Sequence, residues 1–328
     1  MKAYKLKFLM KAILFLVRWY CWFRQPANKE RIWAALFMIP GIFLLVPTFN
    51  YSLTMLQSFL FQAMLAYGLL SIFWIFKRHY RVSTVNFVVY FLLLVKVNTS
   101  IGVRSQFEQG DAKLKVMQFN VLSSNTAYDQ TIENVKNLSP DFISFQEVSN
   151  KWADELEAKL ADEYPYFKVL RQKDAGQGIA VFSKFPLQNI DEHLWEGTAN
   201  LSGQVLIENE AINFLTLHTR SPRNKAKWQH RNAHIRQASE FVQQNGGEFL
   251  VLGDFNTVPW DKRMKEFKAS TDLEDSRKKF VPTFPAWNPF VAQIPIDYIF
   301  HSKGINCKSL DSVKITSDHL AIMGSYQF

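Results

Sequence analysis

Glu248-Phe249-Leu250-Val251-Leu252-Gly253-Asp254-Phe255-Asn256 is the stretch whose reading decides the fold of the larger part of this chain. A short apolar run closed by glycine reads as a buried strand, and the polar residues after it mark the strand's end. Read alone, Asp254-Phe255-Asn256 is equally an ordinary turn, because Asp and Asn favour turns. The same punctuation recurs elsewhere. Phe119 leads into Asn120, Phe145 into Gln146-Glu147, Leu217 into His218, Pro295-Ile296 into Asp297-Tyr298, and Thr316-Ser317 into Asp318-His319. Polar side chains at several strand ends can converge on one rim, and such rims carry sites.

This set has a chemical sense. A phosphoester is anionic and resists attack by water. Its hydrolysis needs a hard cation on the phosphoryl oxygens, a base for water, and donors for the growing charge. Carboxylates and amide oxygens suit Mg²⁺, with Mn²⁺ as an alternative. There is no Cys/His grouping of zinc type and no glycine-rich phosphate loop. The ordered series Asn120, Gln146-Glu147, His218, Gly253-Asp254-Phe255-Asn256, Ile296-Asp297-Tyr298-Ile299 and Ser317-Asp318-His319 resembles the endonuclease/exonuclease/phosphatase superfamily. Pancreatic-type deoxyribonuclease, apurinic endonucleases, sphingomyelinases and inositol polyphosphate 5-phosphatases belong to it. The resemblance covers about residues 112–328. It implies an α+β fold, a four-layer α/β sandwich with two mixed β-sheets.

The resemblance also implies roles. Glu147 matches the metal-binding glutamate, Asn120 the amide beside the metal, and Asp318 a residue near it. Asp254 matches the aspartate that orients or deprotonates water, and Asn256 the amide that places the water or the phosphate. His319 matches the histidine facing the scissile phosphate, Asp297 the carboxylate that orients it, and His218 a second donor on the phosphate side. Whether Asp254 or His319 is the base stays open. His218 is followed by Thr219-Arg220-Ser221-Pro222, not by the Tyr-x-Pro-Asn run of the apurinic endonucleases, which weakens a DNA-repair reading. Arg220, with Arg223, Lys225 and Lys227, is a candidate grip for an anionic substrate, although a solvated helix face explains this basic run at least as well. Trp287 and Pro282-Thr283-Phe284 are candidates for a pocket wall, with plain packing as the alternative for Trp287.

Around these motifs, strands are expected at 114–120, 142–145, 166–171, 178–183, 203–208, 211–217, 248–252, 296–300 and 322–327, and helices at 129–138, 150–163 and 224–244. Strands and helices mix without strict alternation, which favours a layered domain with mixed sheets.

The N-terminal third is different. Ile32 to Phe76 holds 45 residues without a charged side chain. One bilayer crossing takes about 20 apolar residues. Spans are therefore expected at 32–49 and 53–76, with a third at 84–103 in which Lys96 would snorkel to an interface. Residues 1–31 form a basic segment. Within it, 6–23 read as an interfacial amphipathic helix rather than a signal peptide, for want of a small-residue cleavage site. Residues 105–112 read as a linker.

Eight Lys/Arg precede Ile32, and Lys77, Arg78 and Arg81 follow the second span. Basic loops stay in the cytoplasm. Three spans would put the C-terminal domain outside the cytoplasm, and two would leave it inside. The total charge of +9 arises from this region alone, since residues 105–328 carry 25 Lys/Arg against 28 Asp/Glu. A polyanion-binding domain usually shows the opposite bias. Cys21 and Cys307 give no disulfide framework.

The expectation is thus an all-α transmembrane module at 32–104 followed by a Mg²⁺-dependent phosphoester hydrolase domain at 112–328. Its partners would be the lipid bilayer and a phosphoester substrate, a lipid or small phosphoester being preferred. A DNA nuclease and a non-catalytic membrane module of the same fold are the alternatives.

Overall fold

The structure is a computed structural model that describes residues 11–102, 112–171, 178–208 and 210–328, apart from 12, 16, 23, 48 and 49. The expected linker therefore lies almost wholly outside the described residues, as do the first ten residues. The chain divides into two compact units, one of residues up to 46 together with 59–96, the other of 47–58 together with 97–328.

The first unit is helical: α1 (Pro26–Leu45), α3 (Leu60–Phe76) and most of α4 (Tyr80–Ser100). Pro40 lies inside α1, and on the turn before it Phe37 O accepts a hydrogen bond from the Tyr67 hydroxyl at 2.8 Å. Gly41 lets α1 and α4 approach, since a Cβ there would lie 2.7 Å from Val89 Cγ2. The Lys96 ammonium donates to Leu44 O at 2.8 Å, so it satisfies one of the last carbonyls of α1. By length and composition α4 is long and apolar enough to cross a membrane, and α3 passes the same test only as one bent pair with the short helix before it.

That short helix, α2 (Tyr51–Gln57), belongs to the second unit. Asn50 caps it, its side chain accepting from Leu53 N at 2.9 Å. At its end the Thr54 and Ser58 hydroxyls bond back to carbonyls four residues earlier, a pattern that bends helices. The axes of α2 and α3 meet at 59°, so 53–76 is a broken helix rather than a straight one.

The rest of the second unit is a four-layer sandwich. One six-stranded sheet runs in the order β11 (Asn306–Val313), β12 (Ala321–Gln327), β1 (Leu114–Asn120), β2 (Phe142–Val148), β4 (Gly178–Ser183), β3 (Tyr166–Leu170). The other runs β5 (Leu187–Trp195), β6 (Thr198–Ile207), β7 (Glu210–His218), β8 (Phe249–Asp254), β10 (Asp297–His301), β9 (Glu274–Asp275). Each is mixed, with one parallel pair, β1–β2 and β7–β8, among antiparallel ones. The expected α+β sandwich with two mixed sheets is what the chain forms.

Strand alternation builds the layers. Leu250 and Leu252 join Val116, Phe142, Phe214 and Ile299 in the core between the sheets, while Val251 faces outward. Outside the first sheet, Met117, Phe119, Ile143 and Phe145 pack against α5 (Tyr128–Leu138) and α6 (Asn150–Leu160). Outside the second, Leu215, Leu217 and Val251 pack against α7 (Lys225–Asn245) and α8 (Lys262–Thr271). Helix α2 meets this unit too: the buried Trp260 indole N–H donates to Gln57 O at 2.6 Å, and the Tyr51 and Trp228 rings lie 6.5 Å apart.

Candidate active site

The inward rows of the two sheets change character along their length. Leu114-Val116 continues into Gln118-Asn120, Phe142 into Ser144-Gln146, Phe214 into Thr216-His218, Leu250-Leu252 into Asp254, and Ile299 is followed outward by Asp297. The core is dry at one end of the sandwich and polar at the other. Register aligns the polar ends: His218 pairs with Asp254 and Asp254 with Asp297 across three strands, and Asn120 pairs with Gln146.

Hydrogen bonds join the two sheets at this end. Gln118 Nε2 donates to Asp297 Oδ1 at 3.0 Å, and Asn120 Nδ2 donates to Asp254 Oδ2 at 3.2 Å and to Glu147 Oε1 at 3.0 Å. The Ser144 and Thr216 hydroxyls also bond across the gap. Buried polar groups need such partners, or they destabilise the fold.

Two local distortions aim side chains. β2 pairs with β4 out of register between Gln146 and Val148, and Glu147 at this bulge has φ +56°. A bulky residue held there costs about 1–3 kcal/mol, strain that concentrates at functional sites. At the opening stretch of sequence, Gly253 has φ +150°, and a Cβ on it would lie 1.9 Å from Leu217 O. Only glycine lets β7 and β8 run this close. The turn that follows is fixed by Asn256 N donating to Asp254 Oδ1 at 2.8 Å and by Asn256 Nδ2 donating to Thr219 O at 2.9 Å. The buried Arg231 guanidinium donates to Asn256 O at 3.0 Å.

Ser123, Glu147, His218, Asp254, Asn256, Asp318 and His319 open onto one cavity of ≈ 300 Å³, with Phe284 and Ile296 as its apolar wall and Arg220, Ser221, Arg223 and Lys227 at its basic side. The structure therefore brings together Asn120, Glu147, His218, Asp254, Asn256, Asp297, Asp318, His319 and Arg220. Trp287 stands apart. It is 68% exposed, with its ring 6.3 Å from that of Phe284, and does not line the cavity. Gln118, Ser123 and Arg231 are members of this constellation that the motifs do not include.

His319 Nδ1 bonds Asp297 Oδ2 at 2.8 Å, and its Nε2 lies 3.7 Å from Asp254 Oδ2. Burial alone would lower the pKa of His319, but the Asp297 and Asp254 carboxylates outweigh it and raise the imidazole to about 10. Burial, reinforced by the Asp297 charge, pushes Asp254 up to about 8. Burial lowers His218, whose Nε2 is 3.8 Å from Glu147 and 3.7 Å from Asp254. Burial also raises Asp318.

Four carboxylates, Glu147, Asp254, Asp297 and Asp318, thus crowd one small site against burial. Such a donor set fits a hard divalent cation, which would offset their repulsion. Glu147 and Asp318 line the cavity with free oxygen lone pairs and suit it best. Asp254, Asp297 and His319 also offer ligand atoms within 4.8 Å of one another. Asp297 accepts from Gln118 at one oxygen, holds His319 at the other and does not line the cavity, so it suits the histidine better than a cation.

A model of the Endonuclease/Exonuclease/phosphatase family matches residues 117–319. No curated protein matches the chain. Among solved structures, D. rerio TDP2 complexed with single-strand DNA product is similar at 16% identity and a TM-score of 0.56, over 66% of this chain and 100% of that one. An endonuclease/exonuclease/phosphatase family protein from Bacteroides thetaiotaomicron is similar at 17% identity and 0.56, over 67% and 98%. Sphingomyelinase C from Streptomyces griseocarneus is similar at 16% identity and 0.50, over 66% and 99%. At such identities the likeness is one of fold.

Proposed function

This chain belongs to the endonuclease/exonuclease/phosphatase family, and on that premise we propose that it is a membrane-anchored, Mg²⁺-dependent phosphoester hydrolase acting on a lipid or small phosphoester. The observation that carries the reading is the single cavity shared by Glu147, Asp254, Asn256, His218, Asp318 and His319, with cations at its side.

In this reading Asp254, held by the Asn256 amide, orients the attacking water and takes its proton. The water oxygen forms the new P–O bond. The bond to the leaving alcohol breaks with its electron pair on oxygen, which takes a proton from solvent while Asp254 returns the one it accepted. His319, kept cationic by Asp297, donates through Nε2 to the phosphoryl oxygen, where charge grows. His218 offers a second donor on that side. Arg220 steers the anion, as do Arg223 and Lys227. A Mg²⁺ held by Glu147, with Asp318 and Asn120 beside it, would withdraw charge from the phosphoryl group and the leaving oxygen.

Anchoring through α1, α3 and α4, together with the basic flanks, gives an extracytoplasmic catalytic unit by the positive-inside rule. The test is turnover by the full chain with Mg²⁺ on plasmid DNA, RNA, sphingomyelin, phosphoinositides and simple phosphodiesters. Asp254→Ala and His319→Ala should each abolish it. Unchanged Mg²⁺-dependent turnover in both would sink the mechanism, and robust DNA cleavage would favour a nuclease instead. A reporter fused after Phe328 that is active in the cytoplasm would overturn the proposed sidedness.

A further inference from the structure

Helix α2 is a segment of the catalytic unit that the chain joins to an apolar helix at each end. Helix α2 is separated from α1 only by residues 46–50, and from α3 only by Ser58 and Phe59. It nevertheless packs within the catalytic unit, through Trp260 N–H to Gln57 O and through Tyr51 against Trp228. Trp228 follows Lys227 directly in α7, and Lys227 lines the cavity. α2 and α3 are apolar enough to cross a bilayer only as one bent pair, so α2 sits at the end of that pair that joins the catalytic unit, beside Trp228.

A second observation concerns the other side. Phe284 forms the cavity's apolar wall, its ring 4.8 Å from that of His319. The loop running on from Phe284 carries Trp287, Phe290 and Val291, which are 68%, 54% and 52% exposed. Large apolar side chains grouped on a rim in this way mark a surface that meets something apolar. The catalytic unit is acidic in total, with 25 Lys/Arg against 28 Asp/Glu in residues 105–328, so its three rim cations form a local patch and not a track for a long polyanion.

We infer that the active site works at the bilayer surface on a phosphoester whose alcohol part is embedded in the membrane, with α2 fixing the cavity at that level and Trp287, Phe290 and Val291 entering the lipid interface. The inference rests on the hydrolase reading above. Arg220, Arg223 and Lys227 would meet the anionic head group at the height where lipid phosphates lie, while the rim residues meet the acyl chains.

The experiment uses the full chain in phosphatidylcholine vesicles with Mg²⁺. Phosphatidylglycerol and phosphatidic acid in those vesicles are compared with their water-soluble dibutanoyl forms and with bis(p-nitrophenyl) phosphate. The bilayer-held forms should be turned over at least about tenfold more efficiently. Tyr51→Ala and Phe290→Ser, neither of which lines the cavity, should each lower turnover of the bilayer-held forms by about tenfold and leave the soluble esters unchanged. Unchanged soluble turnover also reports an intact fold. If Tyr51→Ala loses both activities, the surface variant Phe290→Ser decides.

Equal efficiency on both substrate forms, or equal losses in Phe290→Ser, overturns the inference and leaves the hydrolase standing. So does cleavage of the soluble esters alone. Absence of any Mg²⁺-dependent turnover removes the hydrolase reading, and this inference falls with it.

Discussion

Asp297→Asn is the substitution whose effect the structure constrains most closely. The side chain is isosteric and fully buried, so the fold should survive. The carboxylate accepts from Gln118 Nε2 at one oxygen and holds His319 Nδ1 at the other. An amide can face its oxygen to only one of them. Its NH₂ then meets either the Gln118 donor or the Nδ1–H of the imidazolium. The counter-charge that outweighs burial at His319 is lost as well. Leaving one member of a buried ion pair without its partner costs about 3–5 kcal/mol. If that cost falls on the charged form of His319 needed in the transition state, kcat drops about 10²–10⁴-fold. KM for the phosphoester should change little, because Asp297 does not line the cavity.

The assay is Mg²⁺-dependent turnover at saturating substrate, with circular dichroism to check the fold and a Mg²⁺ titration alongside. A kcat within about threefold of the parent chain would refute the role given to the pair. A steep rise in the Mg²⁺ needed for half activity would show instead that Asp297 is a metal ligand.

Glu147→Gln should raise the Mg²⁺ concentration for half activity by about tenfold or more, and chelation should remove turnover from the parent chain; unchanged metal demand in that variant speaks against Glu147 as ligand. Without divalent cations, stability should fall as pH rises. Asp254, held up to about 8, and His319, held up to about 10, both bind protons more tightly folded than unfolded. The His319 contribution is present below its unfolded value and is lost as pH rises through about 10, and Asp254 acts in the same direction between its ordinary value and about 8. The thermal midpoint in chelator should therefore drop from about pH 6 to about pH 10, and Mg²⁺ should flatten the slope; a rising midpoint contradicts the assignment. Gly253→Ala should destabilise the catalytic unit by about 4 kcal/mol or more, because its Cβ would collide with Leu217 O; urea unfolding measures this, and a loss below about 1 kcal/mol would show that β7 and β8 can separate cheaply.

Much of the sandwich is legible in the chain because its central strands are apolar and end in polar residues. β8 and β10 are buried along their whole length, and runs so short with Gly or Pro beside them suit a buried strand better than a helix. What escapes is what the core leaves unmarked. β5 (Leu187-Gln-Asn-Ile-Asp-Glu-His-Leu-Trp195) and β11 are edge strands with mostly polar faces, so no alternation marks them. α8 buries only Met264 and Phe267, too few for a visible stripe.

The site follows the same logic. Motif residues stand at strand ends and announce themselves. Gln118, Ser144 and Thr216 sit two positions earlier on the inward face, where the period of the strand is a usable signal: a polar residue that follows an apolar one on a buried row needs a partner across the sheets. Arg231 lies within a basic run, and nothing in the sequence separates its buried guanidinium from its solvated neighbours. The bulge that turns Glu147 has no local sequence signature at all.

Helix α2 carries one more consequence. The catalytic unit is threaded from two separate stretches, so the chain enters it, leaves it and returns. No single cut can excise it whole. A shortened chain starting near residue 105 would lack the carbonyl that Trp260 engages and the ring beside Trp228, and would expose two indoles to water. Synthesis also runs in one direction: α2 is made before the first strand of either sheet, so the sandwich must close around a segment already tethered at both ends.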